Sequence, residues 1–479
     1  MGGLFQSNKN IPTENSPSLH NFAPRIGLAW RPFSSDKFVF RSGFGSFYDR
    51  AGNTIYNKAA TQGIPYEVSV AQTGSANWFA TEGSPYCTAP TPGVACTAPQ
   101  LGWTPRYFNP VTGTGSNLSI LATAQQYYLP VTYEWNANIQ YEFASNWVLE
   151  LGYVGSHGVH QVPDATLGGG ILEHNVNQPV LVNPNPASYC ANGAATNLVC
   201  AAFAAPTAAN AALRVPYLGF SPNGIGVDQT ITSSKFDSLQ ATVTKRLSHG
   251  LTMQAAYTWA RGFDTSSYIT YNDASLPIQY GLMPYLRPQR LSINYSYELP
   301  FGHHTGVLEK VTGGWVVSGV TIAQNGFPQT ITDANLGNLY GKIQTSTANY
   351  ATGMGAANVA TSGSDGSRIG GKLGTTDWYN LAAFTPASAT ANNGYGDSGY
   401  GTVLSPGQFN WDISLVKTTK VGGINENGTL VFRSEFFNAF NHPQFSPPVS
   451  NDVTSSSFGV INTLSVNPRL IQFALKYVF

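Results

Sequence analysis

Charge is scarce in this sequence. The 479 residues include only 24 Lys and Arg and 24 Asp and Glu, so 10% are charged and the net charge is zero. Soluble domains carry about 25%. Nucleic-acid binding needs a basic patch, and this composition supplies none. Long apolar runs are missing too: no stretch approaches the roughly 20 residues of a membrane-spanning helix. No secretory signal opens the chain, because "MGGLFQSNKN" lacks a basic segment followed by an apolar one. That leaves two readings, a protein that is not exported or a native start further upstream. There is no fixed-period repeat, which removes the signature of a solenoid or propeller, and no phosphate-binding loop of the Walker type.

What the chain has is 50 Gly, 30 Pro, 25 Tyr and 26 Phe. Gly and Pro disfavour helices, and aromatics favour strands. The expected class is all-β with long loops. The four cysteines form two local pairs, Cys87 with Cys96 and Cys190 with Cys200, in stretches rich in Pro, Ala, Thr and Asn. The natural reading is two loop disulfides in an oxidising compartment; the alternative is four free thiols. The pairs lack Cys-x-x-Cys spacing and no further ligand follows, which argues against zinc.

Eleven segments alternate with a period of two: 22–32, 37–48, 130–143, 147–157, 235–247, 251–261, 287–299, 314–325, 408–420, 429–440 and 468–479. In 251–261, Leu251, Met253, Ala255, Tyr257 and Trp259 share one face, and smaller or polar residues share the other. In the closing segment Ile471, Phe473, Leu475, Tyr477 and Phe479 oppose Gln472, Ala474 and Lys476. Soluble strands average about 5–6 residues. Eleven residues reach about 36 Å; tilted by about 45°, they cover the apolar band of an outer-membrane barrel, about 25 Å tall.

The connections are more specific. Five are short (33–36, 144–146, 248–250, 300–313 and 421–428) and five are long (49–129, 158–234, 262–286, 326–407 and 441–467), in strict alternation. Short periplasmic turns and long extracellular loops are the pattern of a membrane barrel. A sandwich or propeller has no reason to alternate this way. Loops this long can conceal further strands, such as "IPYEVSV" (64–70), so eleven is a lower bound. The expected fold is therefore an antiparallel transmembrane β-barrel. If Phe479 ends in the periplasm, the first strand runs inward from an extracellular start. Barrels have an even strand number, so the expectation is a C-terminal portion of a larger barrel, with upstream strands, plug and signal peptide outside residues 1–479.

The strand sequences have a familiar wording. "NFAPRIGLAWRP" (21–32), "FVFRSGFGSFYDR" (38–50), "VTYEWNANIQYE" (131–142) and "WVLELGYVGSHG" (147–158) resemble TonB-dependent receptors of the Oar-like group. So do "FDSLQATVTKRLSHGLTMQAAYTWAR" (236–261), "QRLSINYSYELPFG" (289–302), "GGWVVSGVTIAQNGFP" (313–328) and "RSEFFNAFNHPQF" (433–445). The resemblance covers the strands and hardly the long loops. It implies an outer-membrane barrel with a plugged lumen, coupled by an N-terminal TonB box to an inner-membrane energy complex. Contact with that complex would run only through parts upstream of this chain. The implied function is binding and translocation of a ligand whose identity the sequence leaves open, carbohydrate included. A passive porin or adhesin is the alternative, and a secreted soluble β protein is a third reading.

Catalytic and metal motifs are weak. "GDSG" (396–399) matches the start of a serine-protease nucleophile loop, with Ser398 as nucleophile, but Tyr400 and Gly401 follow where that family has Gly and Pro. His157 and His160, or His303 and His304, lack a third ligand. Asp365, Asp377 and Asp397 lack calcium-loop spacing. The reading is a non-enzyme without metal or cofactor.

Four sets of residues stand out. Phe473, Leu475, Tyr477 and Phe479 form an alternating, aromatic-ended segment of the kind read by the outer-membrane barrel assembly machinery. Trp30, Tyr48, Trp135, Tyr153, Trp259, Tyr297, Trp315, Trp411 and Tyr477 fit aromatic girdles against the outer-membrane lipid; sugar stacking instead favours the loop residues Tyr217, Phe220, Trp378 and Tyr395. Arg433 and Glu435 share a face and are candidates for the lumen wall, either as an ion pair bracing it or as ligand contacts. Lys245, sharing a face with Leu239 and Val243, is a further lumen candidate.

Overall fold

The computed structural model describes residues 21–33, 36–49, 118–123, 128–161, 174–175, 177, 179–180, 190, 198–265 except 208, 219 and 229, 280–301, 306–334, 346–359, 378–387, 396–422 and 426–479. Two compact units emerge. One comprises 1–51, 124–174 and 229–479, the other 52–123 and 175–228.

Eleven strands of the first unit form one antiparallel path, each hydrogen-bonded to the next in chain order. They are β1 Arg25–Trp30, β2 Phe38–Tyr48, β3 Val131–Ala144, β4 Trp147–Gln161, β5 Thr232–Ser248, β6 Leu251–Asp264, β7 Gln289–Glu298, β8 Trp315–Gln324, β9 Gln408–Lys420, β10 Thr429–Phe437 and β11 Leu470–Val478. These are the eleven alternating segments of the sequence, with ends moved by a few residues. A two-residue strand, Gly281–Leu282, adds to β6 beside this path. Five strands have 13–17 residues, far beyond the soluble norm of about 5–6. The sheet is open: among the described residues, β1 and β11 each have a single neighbour.

Turn chemistry sets the tight hairpins. Between β5 and β6, His249 (φ 53°) and Gly250 (φ 75°) are both left-handed, the requirement of a type I′ turn that follows the twist of the flanking strands. A Cβ at position 250 would lie 2.8 Å from the Glu298 carbonyl oxygen. Gly250→Val is therefore expected to cost about 1–2 kcal/mol through left-handed strain alone, more with the clash. A lowered denaturation midpoint of the detergent-solubilised protein would report it, and an unchanged midpoint would refute the turn assignment.

The long loops are not irregular throughout. Described parts of 325–407 and 438–469 fold into a lobe with its own core: Ile331, Trp378, Tyr379, Ala383, Phe384, Val403, Phe445, Phe458 and Ile461 are all buried. Short strand pairs hold it, Pro328–Gln329 with Val403–Leu404, Thr332–Asp333 with Ser346–Thr347, and Asn349–Tyr350 with Phe384–Thr385. A parallel bridge between Thr332 and Asp452 ties one loop to the other.

In the second unit, Leu118–Thr123 pairs parallel with Phe220–Asp228, so these strands do not extend the antiparallel wall. Cys190 and Cys200 are joined by a disulfide. Arg214 is fully buried; it donates to Asn210 Oδ1 (3.0 Å), Val180 O (2.9 Å) and Thr207 O (3.0 Å), which offsets its desolvation. Cys87, Cys96 and the segment 64–70 lie outside the described residues.

Candidate functional site

Cross-strand register assigns every wall residue to a face, because directly opposed residues of an antiparallel pair point the same way. One row runs Trp30–Phe40–Ile139–Leu151–Ala241–Tyr257–Leu291–Ala323–Phe409, each opposite the next. It is apolar across nine strands. The row one residue away, Arg41–Asn138–Gly152–Gln240–Thr258–Arg290–Gln324–Gln408, is polar apart from one glycine. The two faces persist to the final strand, where Phe473 and Leu475 oppose Ser434 and Phe432, and Gln472 and Ala474 oppose Glu435 and Arg433. Burial explains neither face: Ile26, Leu28, Trp30, Phe473 and Leu475 are all more than half exposed. Such a surface is costly in water and stable in hydrocarbon.

All nine girdle candidates fall on the apolar face by register. Trp30, Tyr297, Trp315 and Tyr477 stand beside the short turns. Tyr48, Trp135, Trp259 and Trp411 stand toward the long loops. Tyr153 sits mid-strand instead, with its hydroxyl donating to Asp237 Oδ1 (2.6 Å). Two aromatic bands flanking an apolar one match the water–lipid interfaces.

Lys245 corrects the reading of the sequence. It shares a face with Leu239 and Val243, but that face is the apolar one. The residue is 7% exposed. Its Nζ bends to the hairpin, donating to Ser248 Oγ (2.6 Å) and the carbonyls of Ser248 (3.0 Å) and Leu251 (3.3 Å), above the Trp147 ring. Lys417 repeats the device at the next short turn, donating to the Gly313 carbonyl above Trp315. Long cationic stems cross the apolar rim and place their charge at its edge, so Lys245 does not belong to the lumen wall.

Arg433 and Glu435 lie on the polar face, paired at 3.4 Å with side chains 55% and 25% exposed. A pair this exposed contributes about 0–1 kcal/mol. In the closing strand, Phe473 stacks on Phe432 (6.2 Å) and Tyr477 on Phe479 (5.9 Å), and Tyr477 Oη donates to the Gly422 carbonyl (2.7 Å).

The loop candidates separate. Trp378 is 2% exposed and its Nε1 donates to Leu404 O (2.7 Å), so it packs the lobe core and is no stacking platform; "WYNLAAF" (378–384), an apolar cluster inside a long loop, was the signal for that core. Tyr379 is buried beside it with its hydroxyl on Asn451 Oδ1 (3.2 Å), and burial pushes its pKa up. Tyr217 is exposed; Tyr395, His303, His304, Asp365 and Asp377 lie outside the described residues, as does the side chain of Phe220. Ser398 is buried and its Oγ has no hydrogen-bond partner among the described residues. Asp397 accepts from the Tyr350 amide (2.7 Å). His157 Nδ1 lies 3.0 Å from the Ser234 carbonyl, and His160 packs on Tyr128. Among the described residues, no group of three His, Cys, Asp or Glu is placed to hold a metal.

A single-path antiparallel meander, apolar on one face, polar on the other and banded with aromatics, is the wall of a transmembrane β-barrel. The family model described as "Outer membrane beta barrel domain" matches residues 3–472, and the chain belongs to that family, which places it in the bacterial outer membrane. No curated protein matches it. Among solved structures it is similar to the outer membrane transporter YddB from Escherichia coli (10% identity, TM-score 0.40, 96% of this chain and 40% of the other). It is also similar to the ferripyoverdine receptor of Pseudomonas aeruginosa (10%, 0.36, 95% and 32%) and to the ferric citrate transporter FecA (9%, 0.37, 95% and 38%). The chain spans two fifths of these structures or less.

Proposed function

We propose that this chain is the C-terminal wall portion of a TonB-dependent, Oar-like outer-membrane receptor that captures a ligand at its long-loop end and passes it inward. The supporting observation is the strict alternation of short turns with long loops along one antiparallel path, together with the folding of two of those loops into a packed lobe. Lipid does not tolerate open sheet edges, so in this reading further strands of the same receptor complete the wall between β11 and β1, and the plug and TonB box belong to the same upstream region. Capture in the loops and passage through the lumen require no chemistry on the ligand.

The test uses the protein translated from the whole reading frame. It is expected to bind the soluble periplasmic domain of TonB and to show no steady open-pore conductance in planar bilayers, because the plug closes the lumen. Stable conductance steps without TonB binding would establish the passive porin instead.

A further inference from the structure

We infer that the polar face of the wall carries a binding strip for neutral, hydroxyl-rich ligands of the carbohydrate class, centred on Ser318, Ser414, Glu435 and Phe437. The inference rests on the receptor reading above and names the kind of ligand its lumen takes. A cavity of about 610 Å³ lies along the wall from β5 to β10. Across it, Thr252, Ser296, Ser318, Ser414 and Glu435 oppose one another in unbroken succession, and Gln472 continues the row beyond the cavity. Neighbouring strands lie about 4.8 Å apart, so the row offers a hydroxyl at nearly every strand. Ser318 Oγ donates to Ser296 Oγ (3.0 Å). Ser414 Oγ is shielded from solvent and has no partner among the described residues. A shielded, unpaired hydroxyl costs free energy, and rotation of the Ser414 side chain toward the cavity it lines lets a ligand hydroxyl remove that cost.

Charge sets the class. The cavity lining contains Asp412 and Glu435 and no Lys, Arg or His. Asp412 is held in place by Asn410 Nδ2 (3.0 Å) and the Asn438 amide (2.8 Å). Arg433, just beyond the lining, pairs with Glu435 at 3.4 Å, so Asp412 is the carboxylate left uncompensated. The strip keeps a net negative charge, which disfavours anionic ligands and leaves acceptors for neutral polyols. Phe437 adds the other half of sugar recognition. It opposes Leu470 on the polar face, lines the cavity beside Glu435 and is 40% exposed. An exposed aromatic ring there stacks on the C–H face of a pyranose while the hydroxyl row engages its rim.

The test is an array of neutral oligosaccharides and uronic-acid oligosaccharides, probed with the full-length protein in detergent. Retention of neutral glycans and rejection of the acidic ones is expected. Ser414→Ala should weaken binding about fivefold, the worth of one hydrogen bond, and Phe437→Ala at least as much. Thr242→Ala, on the same face outside the cavity, should bind as the unmodified protein does. The inference is overturned if no neutral glycan is retained, if acidic glycans bind equally well, or if Ser414→Ala and Phe437→Ala leave binding unchanged. TonB binding measured on the same samples separates the two readings. Glycan failure with TonB binding intact removes the strip alone, whereas lost TonB binding in the unmodified protein removes the receptor.

Discussion

Placing Lys at Phe473 is expected to abolish stable insertion, while Lys at the adjacent Gln472 is tolerated. Phe473 lies at the middle of β11, opposite Ser434 and stacked on Phe432, and is 66% exposed on the apolar face. A lysine at the bilayer midplane of a barrel costs about 2–4 kcal/mol. Gln472 is one residue away and faces Glu435, where an ammonium group meets a carboxylate and water. Leu475, 67% exposed and opposite Phe432, should behave as Phe473 does. Heat-modifiable migration of outer-membrane fractions reads the outcome. Equal folding of Phe473→Lys and Gln472→Lys would show that the faces are assigned wrongly. Because Phe473, Leu475, Tyr477 and Phe479 are also the proposed assembly signal, Phe432→Lys serves as a second variant. It tests the same face outside that segment and should fail to insert as well.

Trp378→Ala is expected to unfold the loop lobe while the wall persists. The indole is enclosed by the lobe core and its Nε1 is satisfied by Leu404 O. Removing a buried aromatic of this size costs about 3–5 kcal/mol, and the cavity left behind borders Tyr379 and Phe384, themselves core residues. The lobe segments meet the wall at strand ends: Gln444 Oε1 accepts from the Phe409 amide (3.0 Å), its Nε2 donates to Asn410 Oδ1 (3.2 Å), the Asn325 amide donates to Gln289 O (3.0 Å) and the Ala439 amide to Trp411 O (2.8 Å). These bonds lie at the long-loop ends of β7 and β9, so losing the lobe core is expected to leave the register of the wall strands intact. Protease added outside intact cells should cut between residues 326 and 407 in the variant only, and heat-modifiable migration should not change. Simultaneous loss of both signals would make the lobe part of the wall's folding unit.

The wall was legible in the sequence because its cause is local. A strand that faces hydrocarbon on one side and water on the other must alternate, residue by residue, over the full membrane thickness. All eleven segments carry that pattern, and the type I′ turn at His249–Gly250 lies where the period breaks. The loops carry no such period. Trp378, Phe445 and Phe458 are far apart in the chain, and nothing in their spacing reveals that they share a core. Lys245 failed for a related reason. Its parity with Leu239 and Val243 was correct, but which parity meets lipid emerges only when neighbouring strands are aligned, and a lysine beside an interfacial Trp does not mark the polar face.

Composition, period-two patterning and connection lengths thus determined, without any structure, the eleven strands and their alternating short and long connections, and pointed to an outer-membrane wall. The tertiary structure alone decided which residues stand opposite one another. It aligned Thr252, Ser296, Ser318, Ser414 and Glu435 into one row on the polar face, and it gathered two distant loops into a packed lobe. The physical reason is that alternation is imposed on each strand by its own surroundings, whereas rows and cores are made by residues dozens of positions apart, whose meeting depends on register and burial.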